Sequence, residues 1–287
     1  MTTHGFLTLN NFRAVLGSTT FVGIVAVGMT IIMISGSFVS LSLGTTATVT
    51  AMLFIFGLQF GVVASILMTL TLGCLIGVVQ GLAIGAWAAN PIILTIAAGG
   101  IQQGIAVAVS GGTTITPDSD SFEFLNETLL GVPLGFYILL ALVTGAELFM
   151  RRTKYGREIY LTGESRSAAR AAGLPLGAIG ARVFAIAGAC AALAGIMLGA
   201  FNHSASLLLN NGTLNYDAIA AALVGGTAIA GGHGSVWRAL IGALVIATVT
   251  DLLLLRGYST GVQILLKGLI VTGMVVALHL NSSREGK

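Results

Sequence analysis

Four ionisable residues stand inside otherwise apolar stretches: Glu147, Asp217, Asp251 and Lys267. An unpaired charge in hydrocarbon costs at least about 2.5–3.5 kcal/mol, so such groups pair, face water, or relay protons and ions. Asp251 falls near the end of one apolar run and Lys267 shortly after the start of the next. With the turn 255–261 between them, antiparallel helices would bring the two to similar depth, and the spacing predicts a structural ion pair. Other reactive side chains are sparse. His203, His233 and His279 sit at segment ends without ligand spacing. Cys74 and Cys190 lie in separate apolar runs, which suits small packing residues and gives neither a metal site nor a disulfide framework. No Ser/His/Asp grouping, paired carboxylates or H-E-x-x-H occurs, so the residues point to no enzyme, no metal and no cofactor. The glycines 225, 226, 231, 232 and 234 could suggest a phosphate cradle, but no strand precedes them and no Lys follows. Close packing and a backbone break near the membrane fit them better.

The elements that hold these residues follow from composition. The chain of 287 residues is 55% hydrophobic and 8% charged, with mean hydropathy +0.97. Soluble domains carry roughly 25% charged residues, so this chain cannot cover a water-facing surface and reads as a polytopic membrane protein. It holds 40 Gly and 4 Pro, and glycine lets helix backbones approach in lipid. Apolar runs fall at about 18–36, 39–57, 61–86, 92–110, 134–150, 178–200, 218–232, 237–254 and 262–280. They are continuous and do not alternate, so they predict helices. The run 218–232 is rich in small residues and predicts a half-helix or re-entrant segment. The first two runs are parted only by Gly36-Ser37-Phe38, which predicts a broken pair of short helices. The expected fold is an all-α transmembrane bundle of about nine membrane segments, some broken or re-entrant, in one domain over 1–287. The N-terminus has no basic region followed by an apolar stretch, so it does not read as a signal peptide.

Charge sets the orientation. Arg151, Arg152, Lys154, Arg157, Arg166 and Arg170 are six of 13 Lys/Arg and lie within 20 residues. Such a segment stays on the cytoplasmic side, which places 151–177 inside; the basic charge reports topology better than a nucleic-acid partner. The segment 111–133 carries Asp118, Asp120, Glu123 and Glu127 with no Lys or Arg, and is expected outside. Counting back puts the N-terminus outside with nine crossings. That odd number points to a leading helix absent from this sequence or to a run that does not cross. Within the basic segment, Ser165 is a plausible N-cap, 165–172 a short helix, Gly173 a stop, and Pro175 ends it. Its small side chains would let it seat in a groove of another protein; a solvated loop that only fixes topology is the alternative.

The same segment resembles the cytoplasmic coupling segment of permease subunits of ribose-type carbohydrate ABC importers, G-x-x-x-Y-A-x-G-x-N-x-x-A-A-x-x-x-G-I. Gly156, Tyr160, Gly163, Ala168, Ala169, Gly173 and Leu174 correspond, and Ser165 replaces Asn. A second match begins at Asp217 and runs through Gly225, Gly226, Thr227, Gly231, Gly232, Gly234 and Ser235, similar to D-A-I-A-A-x-x-x-G-G-T-x-x-x-G-G-x-G-S. A third covers 26–44, where Ser37-Phe38-Val39-Ser40 stand in place of Gly-Gly-Ile-Asp. Asn90-Pro91 also resembles the family's turn before a P-x-x-x-T-L stretch. The resemblance spans about 20–280. It implies ATPase coupling through Gly163, Glu164, Ser165, Ala168, Ala169 and Gly173, and a substrate path near Ser40, Ser42, Thr95 and Gln102. A structural kink at 37–42, and packing for Thr95 and Gln102, are the alternatives. The implied setting is the bacterial inner membrane. The implied partners are a cytosolic ATP-binding subunit, a second permease copy or paralogue, an extracytoplasmic solute-binding protein, membrane lipid, and a monosaccharide or similar small polar solute. ATP hydrolysis would lie on the partner, since this chain has no P-loop. The rival function is an ion-coupled secondary transporter, which would use Glu147, Asp217, Asp251 or Lys267 on its path.

Overall fold

The structure, a computed structural model, describes residues 8–37, 39–117, 121–207 and 213–285, with side chains except at 10, 271 and 274–285. Phe38, Asp118, Asp120, Lys287 and the side chains of His279 and Arg284 lie outside the described residues. Eleven α-helices follow in order among the described residues: α1 Leu9–Ile34, α2 Leu43–Gly57, α3 Val62–Ala86, α4 Pro91–Ser110, α5 Leu134–Arg152, α6 Lys154–Glu164, α7 Arg166–Ala171, α8 Leu176–Asn202, α9 Leu214–Val224, α10 Val236–Leu255 and α11 Thr260–Glu285. The one sheet among the described residues is a hairpin of two-residue strands, Thr128–Leu129 with Val132–Pro133.

Among the described residues, seven helical segments are long and apolar enough to cross a membrane, α2 counted with the 3₁₀ turn Leu58–Phe60 that continues it, and α9 is a shorter apolar helix. All nine apolar runs are helical. The run at 218–232 is helical only in its first part: α9 has 11 residues, a rise of roughly 16 Å against a hydrocarbon core of about 30 Å. Gly225 and Gly226 end it. The first two runs differ from expectation, because α1 is a full 26-residue helix and not a short one. The break between α1 and α2 is also longer than three residues, running over 35–42.

Helix α8 is the axis of the bundle, packed against α1, α2 and α3. Its closest partner is α3, where Gly73, Gly77, Gly81 and Gly85 recur every fourth residue. A Cβ at each would run into α8 backbone, at Gly188, Phe184, Gly180 and Leu176 respectively. A row of small residues at this spacing lets two backbones touch, which is how helices associate where both solvent and side chains are apolar. Hydroxyls within these helices fold back onto their own carbonyls, as Thr19 does on Val15 O at 2.7 Å and Thr69 on Ser65 O at 2.7 Å, so the donors are satisfied inside the helix.

The bundle has two dissimilar ends. At one, the segment before α5 folds over the helix ends. Phe122 is fully buried and meets Phe54 edge-on at 6.2 Å. Asn126 donates to Ala200 O at 2.8 Å, Arg13 donates to Gly131 O at 3.0 Å, and Ile115 bridges Ala205. At the other lie α6 and α7, the end of α1 and the starts of α8 and α10. The start of α1 thus shares the end that carries Glu123 and Glu127, opposite the Lys/Arg-rich segment.

The expected Asp251–Lys267 pair does not form. Lys267 Nζ lies 2.7 Å from Asp217 Oδ1 on α9, with both side chains nearly buried. The second carboxylate oxygen of Asp217 accepts from Thr213 Oγ1 at 3.1 Å. Asp251 instead accepts from Asn11 Nδ2 on α1 at 2.8 Å. The reason is packing: α11 lies chiefly on α9, not on its sequence neighbour α10, while α10 lies against α1 and α9. Similar depth on consecutive helices does not bring side chains together when they face different neighbours.

Candidate functional site

The break 35–42 is a non-helical segment inside the bundle, and its peptide groups need partners from elsewhere. Helices α4 and α9 supply them for Leu41, and α3 holds the Ser42 hydroxyl. Leu41 N–H donates to Thr95 Oγ1 of α4 at 3.1 Å, and Leu41 O accepts from Asn215 Nδ2 of α9 at 2.8 Å. Asn215 Oδ1 in turn accepts from Gly44 N–H at 2.6 Å. Gly44 is required here, since a Cβ would lie 2.9 Å from the Asn215 carboxamide carbon. Ser42 donates to Gln80 Oε1 of α3 at 2.9 Å, and Ser40 Oγ lies 3.2 Å from Ser42 Oγ. Thr46 Oγ1 lies 2.9 Å from both Ser42 O and Gln102 Oε1.

The four residues expected on a solute path are therefore brought together. Ser40, Ser42, Thr95 and Gln102 are all buried and belong to one hydrogen-bonded set around the break. Beside them opens a cavity of about 400 Å³. It is walled by Leu41, Gly44, Thr45 and Thr48 from the start of α2, by Ile96, Gly99, Gly100 and Gln103 from α4, and by Leu207, Leu214, Asn215 and Tyr216. Ser40, Ser42 and Thr95 lie behind this wall. Gln102 instead borders a separate apolar cleft between α3 and α4. The polar wall residues Thr45, Thr48, Gln103, Asn215 and Tyr216 are neutral, with no carboxylate, amine or guanidinium among them. Gln80, Thr46 and Asn215 escaped the sequence reading; the available signal was a lone carboxamide or hydroxyl in an apolar run.

The basic end is built on a junction of backbones. Gly163 at the end of α6 is buried, and a Cβ there would collide with Ile34 O at the end of α1 and lie 2.6 Å from Gly232 N. Gly232 N–H donates to that same Ile34 O at 2.9 Å, and a Cβ on Gly231 would lie 2.6 Å from Gly36 Cα. Gly36, Gly231 and Gly232 have φ of 72°, 94° and 73°, the left-handed region that favours glycine. The three sequence matches thus meet at one point. Helix α6 is held there by Tyr160, whose hydroxyl donates to Gly234 O at 3.1 Å. Burial, then the nearby Glu147 carboxylate, push its phenol above the ordinary range, so it keeps its proton. Glu158 pairs with Arg182 of α8 at 3.2 Å, and Arg182 lies over the Tyr155 ring at 4.4 Å. Glu147 of α5 accepts from Val236 N–H at 2.7 Å and Ser235 Oγ at 3.1 Å, so it caps α10, a favourable place for a carboxylate. Its Arg151 partner lies at 2.6 Å.

Helix α7 forms where expected. Ser165 accepts from Ala168 N–H at 3.2 Å as N-cap. Gly173, at φ 77°, ends it, with Leu174 N–H donating to Ala169 O and Gly173 N–H to Arg170 O, each at 3.0 Å; this 6→1, 5→2 pair is a Schellman stop. Pro175 precedes α8 directly as its N-cap residue. Ala169 faces inward and is buried, while Glu164, Ser167, Ala168, Arg170 and Gly173 are exposed. Asn90 also caps as expected, accepting from Ile92 N–H at 3.0 Å with Pro91 at the first helical position.

A helical bundle crossing the membrane, with a polar cavity at a broken helix and an outlying short helix at one end, is the build of a membrane transport protein. The chain belongs to the family described as branched-chain amino acid transport system / permease component, which it matches over residues 11–278. It is 32% identical over 286 residues to the probable ABC transporter permease protein YphD of Escherichia coli K12, covering 99% of this chain and 86% of the relative. It is 30% identical over 273 residues to the ribose import permease protein RbsC of the same organism, covering 93% and 84%. It is also 30% identical over 271 residues to the autoinducer 2 import system permease protein LsrD of Yersinia pseudotuberculosis, covering 90% and 81%. No solved structure matches the chain. The protein is thus the membrane-spanning permease subunit of an ABC importer, a multi-pass protein of the bacterial inner membrane. This favours ATP-driven import over the ion-coupled alternative. Subunits of this kind are in general non-catalytic.

Proposed function

We propose that the chain passes a monosaccharide or similar neutral, hydroxylated solute through the cavity between α2, α4 and α9. The observation that carries this is the wall chemistry. Thr, Gln, Asn and Tyr offer paired donors and acceptors to hydroxyls, with Leu41, Ile96, Leu207 and Leu214 for a sugar's apolar faces. A free amino acid would bring two charges with no counter-charge in that wall, and burying them unpaired is costly. The names of RbsC and LsrD support the same solute chemistry. Ser40, Ser42, Thr95 and Gln102 serve the path by bracing the broken segment. The test is uptake of a panel of neutral sugars that includes ribose. Replacing Gln103 with Leu removes a carboxamide from the wall and should raise the transport KM about tenfold, equivalent to ~1.4 kcal/mol. An unchanged KM for every transported sugar would remove the cavity from the path.

ATP hydrolysis would occur on a cytosolic ATP-binding partner seated on α7, through Gly163, Glu164, Ser165, Ala168, Ala169 and Gly173. A second permease would complete the path, and a solute-binding protein would deliver to the end that carries 111–133. The exposure pattern supports a division of roles. Ala168 meets the partner; Ala169 seats α7 on its own bundle. Ala168→Trp should leave the protein folded and abolish solute-stimulated ATP hydrolysis, while Ala169→Trp should lower thermal stability as well. Normal stimulated hydrolysis in folded Ala168→Trp would remove α7 from the coupling surface.

A further inference from the structure

We propose that Asn215 is a positioning residue that latches the broken segment between α1 and α2, and that transport requires this latch to release. The inference rests on the transporter reading above. One carboxamide ties the end of the broken segment to the first turn of α2: its amide donates to Leu41 O and its oxygen accepts from Gly44 N–H. The other side of the Leu41 peptide is held by Thr95 from α4. Leu41, Gly44 and Asn215 are at the same time wall residues of the cavity. The latch is therefore part of the surface a solute touches, and hydroxyls of a bound solute offer the donors and acceptors that Leu41 O, Gly44 N–H and the carboxamide would need on parting. The far side of the same broken segment carries Gly36, which abuts Gly231 and Gly163 at the junction beneath α7, and Ser37, whose hydroxyl lies 3.4 Å from Arg166 Nη2. Leu41 and Gly44 thus touch the cavity, while Gly36 and Ser37, a few residues earlier, touch the α6–α7 seat. A segment that two sites both contact, and whose arrangement both bias, can couple them.

In the resting arrangement the latch holds the segment in place. Weakening it shifts the population toward the released arrangement without any solute. The test is ATP hydrolysis by the assembled transporter in lipid nanodiscs with saturating Mg-ATP and no solute. Asn215→Asp keeps the acceptor for Gly44 but loses the donor to Leu41 O, and Asn215→Ala loses both. Solute-free hydrolysis should rise at least threefold in Asn215→Asp and further in Asn215→Ala. Thr95→Val, which removes the acceptor for Leu41 N–H and a bond within α4 to Ile92 O but leaves the Asn215 latch intact, should produce a smaller rise. An unchanged or reduced solute-free rate in assembled Asn215 variants would overturn the proposal. So would loss of assembly in both, which would make Asn215 a folding brace. Because the readout contains no solute, it is independent of the Gln103 test: an unchanged KM there counts against the cavity as the solute site and leaves this measurement intact.

Discussion

Gly163→Val is expected to yield no functional transporter. The neighbours of a Cβ at this position are the backbone of Ile34 and the backbone nitrogen of Gly232, and backbone cannot swing aside as a flexible side chain can. Accommodating even a methyl group would break the Gly232 N–H to Ile34 O bond and push α6 off the end of α1. Steric conflict of this kind, combined with a lost buried hydrogen bond, belongs to the severe class of substitutions, on the order of 4 kcal/mol or more. Because α6 leads directly into α7, the damage falls on both folding and coupling. Gly145→Ala on α5 is the control, since a Cβ there meets nothing within 4 Å. Size-exclusion chromatography and uptake should show Gly145→Ala unchanged and Gly163→Val aggregated or inactive. A monodisperse, transporting Gly163→Val would show that the junction of Gly36, Gly163 and Gly231 is not as tight as described.

The second large effect concerns the buried ion pair. Lys267 and Asp217 are 2.7 Å apart with side chains 7% and 5% exposed, and removing one partner leaves the other charge stranded in the bundle. Breaking a buried pair typically costs about 3–5 kcal/mol, while replacing both partners by neutral groups is often close to neutral. Lys267→Met alone and Asp217→Asn alone should each lower the melting temperature markedly. The double variant should recover most of the loss, because no charge remains to be desolvated. Asp251→Asn should keep an acceptor for Asn11 and lose only the charge on it, and should not be rescued by Lys267→Met. Thermal unfolding of the four proteins in one detergent decides between the pairings. Rescue of Asp251→Asn by Lys267→Met would restore the pairing expected from depth alone.

That case shows where sequence stops being informative. In water, an apolar stripe at a 3.6-residue period tells which face of a helix is buried. In lipid, every face is apolar, so the rotation of α10 and α11 leaves no trace in the pattern, and depth gave Asp251 the wrong partner. Local chemistry was legible. Ser165 and Gly173 delimit α7 through their own capping bonds, Asn90-Pro91 opens α4 in the same way, and the Lys/Arg-rich segment separates cleanly from the acidic one. The half-helix before Gly225-Gly226 was legible too, because two glycines end it. The four-residue glycine row on α3 was in plain view but is meaningful only once Gly180 and Gly188 of α8 lie opposite. Ser40, Ser42, Thr95 and Gln102 were placed near a path by the family resemblance. Whether such groups face a cavity or stand one layer behind it depends on side-chain direction at a break, which no periodicity describes. Asn215 is the converse case: its two bonds reach more than 170 residues back along the chain, a contact no local pattern records.

The central claim is that this chain imports solute through energy supplied as ATP on the side of α6 and α7. It is tested most directly in proteoliposomes that hold the permease with its ATP-binding partner, with purified binding protein and radiolabelled ribose outside. Uptake should require ATP inside, survive ionophores that collapse proton and sodium gradients, and disappear in Ala168→Trp. Uptake of any sugar in the panel that proceeds without ATP and stops when the ion gradients collapse would contradict the account.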